Sequence, residues 1–431
     1  MLLVYTHKIT PRLTYVFKQI CTHILGVEVG FTSKVEDFIA HKSLKMSYTL
    51  KPLSNELFIK SHGLLFEQGL SDIELNVKSW NDTKGFFTTG ERSSLPFDIF
   101  AASFFLLSRY EEYLPHVRDE YGRFMLTESV AHQHGFLHQP VVDIWAYKLR
   151  NVLQEKFPDF KFPERSYNIK PVIDVPMAYY YKRKGFLRTI GGALSDLGRF
   201  NFSKSFQRFK VLLGFEKDPY DTFDWIINCQ KTSSTKFLVF FLVGDYSTYD
   251  KNISINKKGF VSLIKSVADY CTVGLKSSYF ALEDLKTLKM EKKRLELILN
   301  SGFHAVRHSF SKLNLPDSYR HLNELEIKED YTMGYVNALG FRAGTCTPFL
   351  FYDLDFEMVT PLKIHPYHFM DFALLKHKSE LDKQEHLNKI ITEIKNVNGT
   401  FIPVFHNYAF SDFERWKGFK TLFQFTLDSA K

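Results

Sequence analysis

The chain has 431 residues, 45% of them hydrophobic and 24% charged, an ordinary globular balance with room for two or three full cores. Its four cysteines (Cys21, Cys229, Cys271, Cys346) lie far apart with no C-x-x-C pair, which excludes a zinc knuckle and a secreted disulfide framework. The net charge of +8 is concentrated: between Lys182 and Lys217, nine basic residues stand against Asp196 and Glu216, a local excess of +7.

In chain order, M-L-L-V-Y-T-H-K is too short in apolar residues for a signal-peptide core, and Leu2–Tyr5 reads as a strand. Ser47–Leu50 reads as another strand. Phe97–Tyr113 has helical spacing with an apolar face, and Val141–Phe157 is a second helix. Pro158 and Pro163 punctuate a boundary, so residues 1–165 are expected to form an accessory domain and 166–431 a second domain. Asn168–Val175 is then a strand ending at Asp174. The basic stretch at about 182–217, interleaved with Phe186, Ile190, Leu194, Leu197, Phe206, Phe209 and Leu212, reads as a helical insertion. Lys236–Val243 is a buried strand by its unbroken apolar run. Its Phe237–Val243 core is the longest such run and is far below the ~20 residues that span a bilayer. Gly259–Cys271 is a helix, Thr272–Leu275 a strand, and Glu283–Leu299 and Asp317–Leu325 are helices. Thr332–Arg342 leads through a turn into a strand. Glu380–Lys395 is a helix, Thr400–Phe405 a strand and Glu414–Phe425 a closing helix.

Strands alternating with helices predict an α/β fold, a parallel barrel or sheet, preceded by a smaller mixed α/β domain. In such folds chemistry collects where polar residues follow strand C-terminal ends. Asp174, Lys276, Arg342 and His406 all occupy such places.

Four segments carry a resemblance. They are K-P-V-I-D-V-P (Lys170–Pro176), V-G-L-K-S-S-Y (Val273–Tyr279), G-F-R-A-G-T (Gly340–Thr345) and P-V-F-H-N (Pro403–Asn407). In order and spacing they resemble the polysaccharide deacetylases of the NodB-homology superfamily. The N-terminal part, with L-S-R-Y-E-E-Y-L, looks like the domain that accompanies such deacetylases in a Bacteroidetes-type subgroup. The resemblance implies a distorted (β/α) barrel and amide hydrolysis on a sugar. A divalent metal such as zinc would activate water, a carboxylate would act as base and a histidine as acid.

Carried over residue by residue, the resemblance makes Asp174 the base, Arg342 the arginine that orients it, and His406 the acid steadied by Asp371. His308 is the remaining metal-ligand candidate, and Lys276, Tyr279 and Asp330 are substrate-binding candidates. Two ligand positions depart from the pattern. Pro176 replaces the metal Asp and has no donor atom. Lys276 replaces a metal His, and its ammonium repels cations. A pairing of Lys276 with Asp174 is expected in place of the metal.

Three readings follow. The first is a deacetylase-like protein of cell-surface glycan metabolism that binds a carbohydrate without hydrolysing it. The second is an active enzyme with a rebuilt metal site using His308 with His304 or His365. The third is binding of an anionic membrane surface through residues 182–217, whose apolar–basic mix fits an interfacial helix. No nucleic acid is expected as a partner, because no binding motif is present. The expected location is the cytoplasm, with peripheral contact at the inner membrane face.

Overall fold

A computed structural model describes residues 1–429 except 185–188, 192–193, 195–197, 199, 201 and 378. The chain divides into two compact units. One contains Met1–Asn168, Leu313–His368 and Leu387–Phe401; the other contains Ile169–Lys312, Phe369–His386 and the stretch from Ile402. The first unit thus takes segments from well beyond residue 165.

In the first unit, β1 (Leu2–Tyr5), β2 (Val29–Thr32), β3 (Lys45–Thr49) and β4 (Phe58–Lys60) form a parallel sheet in the order β2-β1-β3-β4. The helix Ile99–Leu107 is apolar on every side and every residue of it is buried, as expected for a helix inside a core. Asp98 caps it by accepting from the Phe100 and Ala101 N–H groups, and also accepts the Tyr48 hydroxyl at 2.6 Å. The single helix expected over Phe97–Tyr113 is broken in two. Arg109 takes a left-handed φ of 54°, and a short turn of helix, Tyr110–Tyr113, follows. The strand expected after Thr332–Arg342 is not formed there. Phe349–Asp353 and Met358–Ile364 instead make an antiparallel hairpin.

The second unit is built on six parallel strands: β5 (Val172–Val175), β6 (Leu238–Leu242), β7 (Thr272–Ser277), β8 (Ala305–His308), β9 (Phe369–Met370) and β10 (Pro403–His406). Their order is β8-β7-β6-β5-β10-β9. Pro171, which has no N–H to give a ladder, separates β5 from the two-residue strand Asn168–Ile169, so the expected single strand is split. Gly274 lets β7 sit close to its neighbours; a Cβ there would lie 2.5 Å from the Phe240 ring and 2.8 Å from the Ala305 carbonyl oxygen. Helices Phe223–Thr232, Lys258–Ala268, Leu285–Leu299 and Phe419–Asp428 accompany the strands. The fold is mixed α/β, and among the described residues every sheet is open; none closes into a barrel.

Of the basic insertion, Phe186, Leu187, Arg188, Asp196, Leu197 and Arg199 lie outside the described residues, and the described part contains the helix Phe202–Leu212. No helix among the described residues is long and apolar enough to cross a membrane.

Candidate functional site

The site of the second unit is assembled by strand register. His406 of β10 lies opposite Asp174 of β5, Lys276 of β7 opposite Arg307 of β8, and Ser277 opposite His308. These residues sit at the C-terminal ends of parallel strands, where the backbone leaves the sheet and polar side chains gather.

Asp174 is fully buried and its Oδ2 accepts from Lys276 Nζ at 2.8 Å and Arg307 Nε at 2.9 Å. Its Oδ1 is buried with no hydrogen-bond partner. Burial alone would raise the Asp174 carboxyl. The charges of Arg307, Lys276 and His406 win and hold it well below the usual carboxylate range. Burial pushes the Lys276 ammonium below its ordinary value; the attraction of Asp174 works against this and Arg307 adds to it. The arrangement is one buried carboxylate clamped by two cations. Arg307 is steadied in turn by Ser311 Oγ at 3.0 Å, on a loop where Phe310 and Ser311 both take left-handed φ values of 60° and 52°.

His406 lies on the other side of Asp174, with Nε2 at 3.8 Å from Oδ2. Asp371 holds it from behind, accepting at 2.9 Å from Nδ1 and at 2.7 Å from the His406 backbone N–H. The imidazole stacks on Tyr408 at 4.8 Å. Asp371 fixes the ring's orientation and leaves Nε2 turned toward Asp174, as a positioned acid–base pair requires. His308 Nδ1 is 2.5 Å from Ser277 Oγ. Tyr279 stacks on Tyr249 at 3.9 Å beside Phe280 and Phe310, and Phe280 is half exposed, giving an aromatic face at the edge of the site.

Two candidates fall in the first unit. Arg342 is in the first unit, where Nε and Nη2 grip the Glu112 carboxylate at 2.9 and 2.8 Å. Arg109 joins the same carboxylate at 2.8 Å, and against the pull of burial the two guanidiniums hold Glu112 at about 2. The arginine that holds Asp174 is Arg307. The string G-F-R-A-G-T-C-T is a brace of the first unit: Asp143 also accepts from Thr345 Oγ1 at 2.6 Å, the Cys346 N–H at 3.0 Å and the Thr347 hydroxyl. Asp330 is likewise in the first unit, its buried carboxylate accepting from Tyr319 at 3.0 Å and from Thr332.

The donor set does not fit a metal at Asp174. Pro176 offers no ligand atom, and Lys276 and Arg307 already occupy Oδ2. His304 is exposed, and His365 stacks on Tyr331 in the first unit. Among the described residues, the trio of metal-capable side chains that come together is His377, Asp382 and His386, where Asp382 already bridges both rings at 2.8 and 3.0 Å.

Sequence reasoning passed over Arg307 and Glu291. Arg307 is an arginine inside the apolar run A-V-R-H, a signal read only for its neighbour His308. Glu291 stands on the inward face of the charged helix Leu285–Leu299; it is fully buried and accepts the Ser278 N–H at 3.0 Å. Burial pushes it up to about 7.

Residues 2–158 match a family described as "Family of unknown function (DUF7033)". No curated protein matches the chain. Among solved structures, a candidate polysaccharide deacetylase from Mycobacterium smegmatis is 11% identical, with 63% of this chain and 85% of that one covered at a TM-score of 0.36. A GH138 enzyme targeting pectin rhamnogalacturonan II is 10% identical, with 100% of this chain and 64% of that one covered at a TM-score of 0.28. At such scores both are distant likenesses, and neither speaks for a reaction.

Proposed function

We propose that this chain is a deacetylase-like protein of cell-surface glycan metabolism that binds a carbohydrate without metal-dependent hydrolysis, on a deacetylase-type (β/α) barrel left open. The observation that supports this most is the contact of Lys276 Nζ with Asp174 Oδ2 at 2.8 Å, reinforced by Arg307. A carboxylate held far below its ordinary range and paired twice is a poor proton acceptor at neutral pH, so Asp174 anchors the site instead of activating water. The Nε2 of His406, 3.8 Å from Asp174 Oδ2, offers a polar ring atom to a ligand hydroxyl. The aromatic face of Tyr279, Tyr249 and Phe280 suits the apolar side of a sugar ring.

Metal analysis of the purified protein tests this reading, beside the variant carrying Pro176→Asp and Lys276→His. The wild type is expected to hold no stoichiometric divalent metal and the double variant to acquire zinc. Stoichiometric zinc in the wild type, with release of acetate from an acetylated glycan, would overturn it.

A further inference from the structure

A surface helix normally turns its apolar stripe inward. Phe202–Leu212 does the reverse. Ser205, Arg208 and Val211 are its buried residues, and Arg208 lays its guanidinium 4.9 Å over the Tyr181 ring. Phe202, Phe206, Phe209 and Leu213 follow one another at steps of four, three and four residues, so they share one stripe. They are 63%, 65%, 53% and 69% exposed, and Phe215 just beyond is 78% exposed. Because the inward face is already filled, the stripe is not a core face waiting to fold back onto its own unit.

We propose that this stripe is an interfacial anchor that inserts into the surface of an anionic bilayer. The charge around it selects that occupant. Lys182, Arg183 and Lys184 precede it, and Lys204, Lys210 and Lys217 lie along it. Lys204, Lys210 and Lys217 meet Glu414, Glu216 and Asp224, and Asp218 and Asp221 act on Lys182, so among the described residues seven cations, Arg208 included, stand with five carboxylates. A second copy docking through the same face would bring this positive excess against itself across a two-fold axis. Anionic headgroups neutralise it while the acyl boundary takes the phenyl rings. A convex helix with protruding rings also lacks the groove that a peptide partner would enter. The chain leaves β5 after Val175 to form this segment, and its departure and return are pinned together where Asn407, next to His406, donates to the Met177 and Tyr220 carbonyls at 3.1 Å each. The anchor therefore springs from the same strand ends as the site. It rests on none of the site's side chains and stands apart from the glycan reading.

The test is flotation of the full chain with phosphatidylcholine vesicles, with and without phosphatidylglycerol, for the wild type and for Phe206→Ser combined with Phe209→Ser. These side chains are exposed, so the fold is expected to survive, with far-UV circular dichroism as the check. The wild type is expected to float with anionic vesicles, to be released by salt, and to lose about tenfold or more in partitioning on the double substitution. Failure to float with either vesicle, or equal flotation of the variant, would overturn the anchor. Equal binding to neutral vesicles would overturn its anionic selectivity. A wild-type dimer by light scattering that becomes monomeric in the variant would assign the stripe to self-association instead.

Discussion

Asp174 gathers Lys276, Arg307 and His406 around one oxygen, Oδ2, and each of its contacts has a measurable counterpart. Replacing it by Asn leaves Lys276 and Arg307 buried without their anion, which is expected to cost about 3–5 kcal/mol in urea denaturation. In a double-mutant cycle with Lys276→Met the two sites should couple by about 1–3 kcal/mol. Additive effects would show that the ion pair holds nothing together. Glu291 sets a pH dependence of the opposite kind. Its carboxyl rises from an ordinary 4.5 to about 7 on folding. Between those values the folded state keeps a proton that the unfolded state has released, so stability falls as pH rises through the window, by up to about 3 kcal/mol. Glu291→Gln is expected to flatten that slope and to exceed the wild type above about pH 7; an unchanged slope in melts across pH would place the titration elsewhere. At this scale the proximity of Asp174, Lys276, His406 and Asp371 was legible, because motif strings and strand ends pointed to the same residues and the structure brings them into contact. Arg342 pairs with Glu112 where the resemblance had it orient Asp174, because an unusual string marks any demanding environment, and here the demand is the packing of Glu112 and Asp143.

Elements were legible wherever an apolar run or helical spacing stood alone. Lys236–Val243, Val141–Phe157 and Glu380–Lys395 came within two residues of the helices and strand observed. The Phe349–Ile364 hairpin was missed because its turn uses Glu357 at a φ of 50° where Gly or Asn would have signalled it, and Pro361 sits inside a strand. The break at Arg109 was hidden for a related reason: the left-handed residue is an arginine, held there by Glu111 and Glu112. Apolar and basic residues interleaved over about 182–217 pointed to a helical insertion but carried no information on which side of the helix Phe202–Leu212 faces solvent. The G-F-R-A-G-T segment can be tested as a brace. Arg342→Met removes a bidentate partner of buried Glu112 and is expected to lower stability by about 2–4 kcal/mol by chemical denaturation. Ligand binding per folded molecule should be unchanged; a binding loss without a stability loss would return Arg342 to the site.

At the scale of the molecule, a boundary read from Pro158 and Pro163 marks a change of pattern along the chain, whereas the first unit collects Leu313–His368 and Leu387–Phe401 as well. Long-range membership of that kind leaves no local mark on composition or periodicity. A truncated chain of residues 1–165 lacks Arg342 for Glu112 and Thr345, Cys346 and Thr347 for Asp143. It is expected to show no cooperative thermal transition; a sharp melt would establish residues 1–165 as self-sufficient.

The clamp on Asp174 also has a consequence in time. Its two cations come from residues 102 and 133 positions later in the sequence, on strands two and three places away in the sheet. Until those strands have joined, β5 carries an ionised group that resists leaving water. Assembly of this sheet therefore has a late gate: closing loops of that length is slow, and the first strand cannot dry before the fourth arrives. A nascent chain released before Arg307 is made would hold its central strand wet and exposed, the state in which a parallel sheet is most open to misassembly.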